Sequence, residues 1–116
     1  MVFEEVGKPL RAVERPIPRP GPGQLLLRVH ACAVCRTDLH LLDGEVEIAH
    51  PPRILGHQIV GTVEPSGEET PAGADAADGA RRVGVPWLGW TDGTCEYCTS
   101  GRENLCPNAL FTGRDI

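Results

Sequence analysis

Aromatic side chains are scarce in this chain: two Trp, two Phe and one Tyr among 116 residues. A core is therefore expected from Val, Leu, Ile and Ala. No apolar run approaches the length of a bilayer-spanning helix, so a membrane partner is not expected. Acidic residues outnumber basic ones, giving a formal net charge of −5, and nothing favours a nucleic-acid backbone as partner. The opening residues, Met1-Val2-Phe3-Glu4-Glu5-Val6, lack the basic-then-apolar order of a secretory signal, so the cytosol is the expected compartment. Also missing is a Gly-x-Gly-x-x-Gly set between a strand and a helix. Gly21-Pro22-Gly23 precedes a strand and carries no nucleotide meaning.

Glycine and proline are plentiful, at 14 and 11, which argues against long helices. The length allows one small domain. After a proline-rich lead-in at residues 15–23, residues 24–33 are predicted as a strand, with Leu25, Leu27 and Val29 on one face. Residues 37–42 are predicted as a short helical turn ended near Gly44. Ile59-Val60-Gly61-Thr62-Val63 reads as a second strand, rich in β-branched residues. Residues 66–79 are small and acidic and read as an exposed loop. A strand resumes over residues 82–88, with Pro86 at an edge or strand end. Residues 91–107 form a lobe with little apolar content of its own. Short strands and turns together predict a mainly β, barrel-like domain.

Two constellations carry the chemistry. The first is Cys35-Arg36-Thr37-Asp38-Leu39-His40 with Gly56-His57-Gln58. Catalytic zinc takes three protein ligands and keeps a fourth position open. Cys35 offers a thiolate and His57 an imidazole. Asp38 is a candidate to fix the tautomer of a ligating histidine. Thr37 could bond a substrate hydroxyl, and His40 could relay its proton outward. The second constellation is Asp92-x-x-Cys95-x-x-Cys98 followed by Cys106. Five cysteines, three of them between 95 and 106, suggest metal rather than disulfides in a chain without an export signal. Each residue alone has a plainer reading. Cys35 could be a small buried apolar group, His57 a satisfied core histidine, and Thr37 and Asp38 helix caps. The order and spacing taken together favour metal. Cys32, His30 and His50 receive the plain reading, with Cys32 packed on the strand.

These residues, with Pro22-Gly23-Gln24-Leu25-Leu26-Leu27-Arg28-Val29, Ile54-Leu55-Gly56-His57-Gln58-Ile59-Val60-Gly61 and Val83-Gly84-Val85-Pro86-Trp87-Leu88, resemble the N-terminal, GroES-like part of the zinc-dependent alcohol dehydrogenases of the medium-chain dehydrogenase superfamily. The resemblance implies a mainly β, partly open GroES-like barrel with short helices and a structural-zinc lobe, over residues 1–116 with the lobe at 91–107. It implies that Cys35 and His57 are catalytic-zinc ligands, that Thr37 meets the alcohol proton, and that His40 relays it. Arg36 resembles a contact to coenzyme phosphate, and Trp87 a wall of the substrate pocket. The family has Glu where Gln58 stands; glutamine keeps the shape and loses the charge beside the metal. No downstream residue matches the third ligand.

The family's lobe carries four cysteines, the first three at three-residue intervals, and Asp92 stands where the first would be. An Asp92, Cys95, Cys98, Cys106 set is harder than four thiolates and chemically reasonable. The implied activity is oxidation of an alcohol to an aldehyde or ketone with NAD or NADP, using catalytic and structural zinc. The implied substrate is a small alcohol or aldehyde, and the implied assembly a homodimer or homotetramer. With no dinucleotide motif and no third ligand, the chain is expected to be part of a longer enzyme and inactive alone. A polyol or formaldehyde dehydrogenase is the neighbouring alternative. A GroES-like interaction module needs no cysteine, and a purely structural zinc module would leave residues 35–40 idle.

Overall fold

The structure, a computed structural model, describes residues 1–64 and 81–116. The loop expected at residues 66–79 lies outside the described residues. The described chain is mainly β with short helices. Its elements are β1 (Leu27–Ala33), α1 (Arg36–Leu42), β2 (Gln58–Val63), β3 (Arg82–Val85), β4 (Leu88–Trp90), α2 (Glu96–Thr99), a 3₁₀ turn at Glu103–Leu105, and β5 (Leu110–Phe111). β2 is the centre of an antiparallel sheet flanked by β1 and β3. β4 and β5 pair antiparallel in a second sheet. Both sheets are open, and the described strands close no barrel.

Two boundaries and one register differ from expectation for local reasons. β1 starts at Leu27 instead of residue 24, because Gln24 closes a turn: its amide donates to Gly21 O at 3.0 Å and its side chain accepts from Gly21 N at 2.9 Å. Within β1 the register passes from Val29 opposite Gly61 to Ala31 opposite Val60, so His30 is the extra residue of a bulge. The bulge breaks the expected alternation, and Val29 is exposed. The strand expected over 82–88 is two strands. Pro86 has no amide to give a ladder, so β3 ends at Val85 and β4 begins at Leu88.

The core is small: Phe3, Leu41 and Ile48, with Leu10, Leu42, Val46, Leu55 and Trp87 packed against them. The all-aliphatic expectation is thus corrected by Phe3 and Trp87. Phe3 is carried inward by backbone pairing at both of its sides. Val2 exchanges hydrogen bonds with Arg11 at 2.8 and 2.9 Å, and Phe3 with Arg53 at 2.7 and 2.9 Å. α1 supplies Leu41 and stops where sequence suggested. Asp43 N donates to Leu39 O at 2.9 Å, and Gly44 follows at φ +75°.

Candidate functional site

Two short segments bring Asp38 against both the Cys35 backbone and the His57 ring. Cys35 is the N-cap of α1, and Asp38, three residues on, turns its carboxylate back to accept from the Cys35 amide at 2.7 Å. That leaves the other oxygen, Asp38 Oδ1, 3.3 Å from His57 Nδ1. Asp38 and His57 are 7% and 4% exposed, so this contact is out of water's reach. Neither atom has another partner, and the pair is close without being aligned as a hydrogen bond. An imidazole with Nδ1 facing a carboxylate presents Nε2 as its ligand atom. Cys35 is half-buried, and its Sγ lies 3.8 Å from Thr37 Oγ1.

The approach to His57 is set by glycine. Gly56 has φ +117°, and a Cβ there would lie 2.6 Å from Cys32 Sγ. A Cβ on Gly113 would come within 2.8 Å of Gly56 N and O, so a second stretch of backbone presses on the same point. Cys32 is on β1 as expected; the residue is exposed, while its Sγ lies against Gly56. Trp87 meets the His57 ring edge-on at a centroid distance of 4.7 Å and stacks on Phe111 at 4.9 Å. An open cavity of about 420 Å³ lies behind α1, lined by Phe3, Val6, Leu41 and Ile48 among others; Trp87 does not line it.

The remaining predicted residues spread outward from this cluster. Arg36 opens α1 and is exposed. His40 sits on the last turn of α1, with Nδ1 against the exposed carboxylate of Glu45. Gln58 starts β2 and is exposed, whereas His57 is buried, as neighbouring residues of an extended chain face opposite ways. Sequence reasoning missed Glu45 and Phe111, neither of which sits in a recognisable spacing.

The second constellation is gathered more tightly. One ligand atom from each of Asp92, Cys95, Cys98 and Cys106 lies within 4.8 Å of every other. Tetrahedral zinc with bonds of about 2.3 Å to sulfur and about 2.1 Å to oxygen would need O···S edges of about 3.6 Å. Asp92 Oδ2 is already 3.3 Å from Cys106 Sγ. The local backbone serves the cluster: Cys98 N donates to Cys95 Sγ at 3.5 Å across the Cys-x-x-Cys turn that starts α2. Asp92 Oδ1 accepts from the amides of Thr94 and Cys95, each at 2.9 Å. Asp92 Oδ2 also accepts from Asn108 Nδ2 at 2.8 Å. The Cys95 amide first, then Asn108 and the Thr94 amide, hold the Asp92 carboxyl well below the usual carboxylate range. Burial pushes the Cys98 thiol up to about 11, against the opposing hydrogen bonds of the Thr91 side chain and the Gly93 backbone. A carboxylate kept charged among three clustered thiols is the donor set of a divalent soft-to-borderline metal. Asn108 was not singled out in the sequence, because it lies two residues past Cys106 and carries no ligand spacing.

The family model described as "Alcohol dehydrogenase GroES-like domain" matches residues 21–114. An alcohol dehydrogenase of Rhizobium meliloti strain 1021 is 42% identical over 99% of this chain and 33% of its own length. Among solved structures, an alcohol dehydrogenase from Aeropyrum pernix superposes with a TM-score of 0.77 at 34% identity, over 99% of this chain and 33% of its own. A chain from Sinorhizobium meliloti 1021, described as a zinc-binding dehydrogenase bound to NADP, superposes with a TM-score of 0.78 at 35% identity, over 97% and 31%. The chain thus spans about a third of the length of the curated relatives it matches. The two strands that bracket Cys35 and His57, the lobe at Asp92 to Cys106 and the matched span 21–114 all agree, and the chain belongs to the alcohol dehydrogenase GroES-like domain family.

Proposed function

We propose that this chain is the zinc-holding part of an NAD- or NADP-linked alcohol dehydrogenase that converts an alcohol to an aldehyde or ketone. The observation that carries the reading is the buried Asp38 carboxylate, which touches the Cys35 amide on one side and His57 Nδ1 on the other. A buried carboxylate and imidazole with no other partners fit a histidine oriented toward a metal. Cys35 Sγ and His57 Nε2 would hold a catalytic zinc, and a third ligand would come from outside this chain. Zinc there supplies Lewis acidity to the substrate oxygen, and the nicotinamide accepts hydride.

The chain's own residues have definite tasks. Thr37, whose Oγ1 is 3.8 Å from Cys35 Sγ, would accept the proton of a substrate hydroxyl. His40 follows Thr37 by three residues on α1, so the two share a helix face. With its Nδ1 at Glu45 on the open side, His40 passes that proton toward solvent. Arg36, exposed at the start of α1, is available to a coenzyme phosphate. Trp87 fixes the His57 ring and walls the substrate side of it. Asp92, Cys95, Cys98 and Cys106 would hold a structural zinc that orders residues 91–107. The substrate is a small alcohol or aldehyde, and the complete enzyme is a cytoplasmic homodimer or homotetramer. Among the described residues, no helix is long and apolar enough to cross a membrane.

The test is a graft. Substituted for the matching third of the Rhizobium meliloti relative, the chain should support alcohol-dependent reduction of NAD⁺ or NADP⁺. The same graft with Cys35→Ala should contain less zinc and show no turnover. Full activity from the Cys35→Ala graft would overturn the reading.

A further inference from the structure

We infer that Asn108 is a positioning residue for the lobe metal: its amide holds Asp92 Oδ2 so that one carboxylate oxygen stands where a thiolate otherwise would. This rests on the reading of Asp92, Cys95, Cys98 and Cys106 as a zinc site. A carboxylate differs from a thiolate in having two oxygens on a broad, roughly two-fold torsion, so bonding geometry alone does not decide which oxygen faces the ion. The surroundings decide it. Oδ1 is occupied by the Thr94 and Cys95 amides at 2.9 Å each, with the Thr94 hydroxyl at 3.4 Å. Oδ2 takes Asn108 Nδ2 at 2.8 Å and faces Cys106 Sγ at 3.3 Å.

Each carboxylate oxygen offers two lone-pair directions. With Oδ1 turned to the backbone and one direction of Oδ2 taken by Asn108, a single lone pair remains aimed into the cluster. Asp92 then ligates through one oxygen and the site stays four-coordinate, as zinc and cobalt prefer with three thiolates. Asn108 is brought there by the chain itself, since Ala109 N donates to Cys106 O at 3.2 Å and folds residues 106–109 back over the lobe. A neutral amide suits the task. A lysine or arginine there would neutralise the carboxylate and compete with the ion.

The test uses this chain with Cys32→Ser and Cys35→Ala throughout, so that the lobe alone supplies the metal's thiolates. Zinc affinity is measured by competition with a chromophoric chelator, and Co²⁺ is titrated while the thiolate charge-transfer and ligand-field bands are recorded. Asn108→Ala should weaken zinc by about tenfold, the lower end for loss of an outer hydrogen-bond partner because Asn108 is exposed. It should also shift the cobalt ligand-field bands. In an Asp92→Cys background there is no carboxylate to position, and removing Asn108 should change affinity by less than about twofold. Unchanged affinity in Asn108→Ala, or an equal loss in both backgrounds, would overturn the inference and leave the zinc site standing. A chain that binds cobalt without thiolate charge-transfer bands would overturn the zinc-site reading, and the inference with it.

Discussion

Asp38 and Asp92 are built alike and placed differently. Each is a short acid at a turn, three residues from a cysteine, and each receives that cysteine's backbone region as a partner. Asp38 lies 3.3 Å from a histidine nitrogen and would act on a metal through that ring. Asp92 lies among the sulfurs and would touch the metal itself. Their replacements should therefore differ. Asp92→Ala should remove the lobe's zinc, read as one fewer zinc per chain by elemental analysis; an unchanged count would take Asp92 off the ligand list. Asp38→Asn keeps the volume and the Cys35 contact but loses the charge beside His57. Zinc affinity at Cys35 and His57 should fall by about 10- to 100-fold in the grafted enzyme, measured by chelator competition. The cysteines, His57 and Asp38 were legible because their chemistry comes in fixed spacings. Asn108, Glu45 and Phe111 were not, since a hydrogen-bond donor or a stacking ring can arrive from any loop that folds back.

At the scale of elements, the first turn of α1 meets the residue before β2 through Asp38 and His57. β2 was readable from its β-branched run, and α1 from its stop at Gly44. The bulge at His30 was not, because an extra residue in a ladder shows only once the partner strand is known. Pro86 signalled a strand end but not that a new strand, in another sheet, would begin two residues later. Gly56 is the element-scale joint. Its φ of +117° disfavours any side chain, and Cys32 Sγ fills the space a Cβ would need. Gly56→Ala should cost about 1–3 kcal/mol. Urea unfolding should show it as a lower midpoint at constant slope, and a midpoint within error of the parent would contradict the strain assigned to this joint.

At the scale of the whole molecule, the described residues have a thin core and leave many large hydrophobic side chains exposed. Among the described residues Leu41 alone is completely buried, while Val29, Val34, Ile54, Trp90 and Leu105 are among the large hydrophobics left exposed. Order in the lobe then depends on something other than burial, since within it only Cys106 is buried. Structural zinc contributes roughly 10–16 kcal/mol of apparent binding energy in small zinc-finger peptides, far more than such a lobe can bury. Removing metal with a chelator should therefore raise hydrogen exchange sharply over residues 95–106 and leave the β1–β2 amides protected. Uniform loss of protection would instead make zinc a support of the entire fold.

The edge-on contact between Trp87 and the His57 ring makes the indole a natural optical reporter. Metal capture by that imidazole changes the charge and polarity 4.7 Å from an emitting chromophore, so Trp87 fluorescence should change in proportion to occupancy. Trp90, half open to water, contributes a steady red-shifted background that Trp90→Phe would remove. A metal held at His57 would thus be read in a cuvette from the indole alone, with no dye, substrate or coenzyme added.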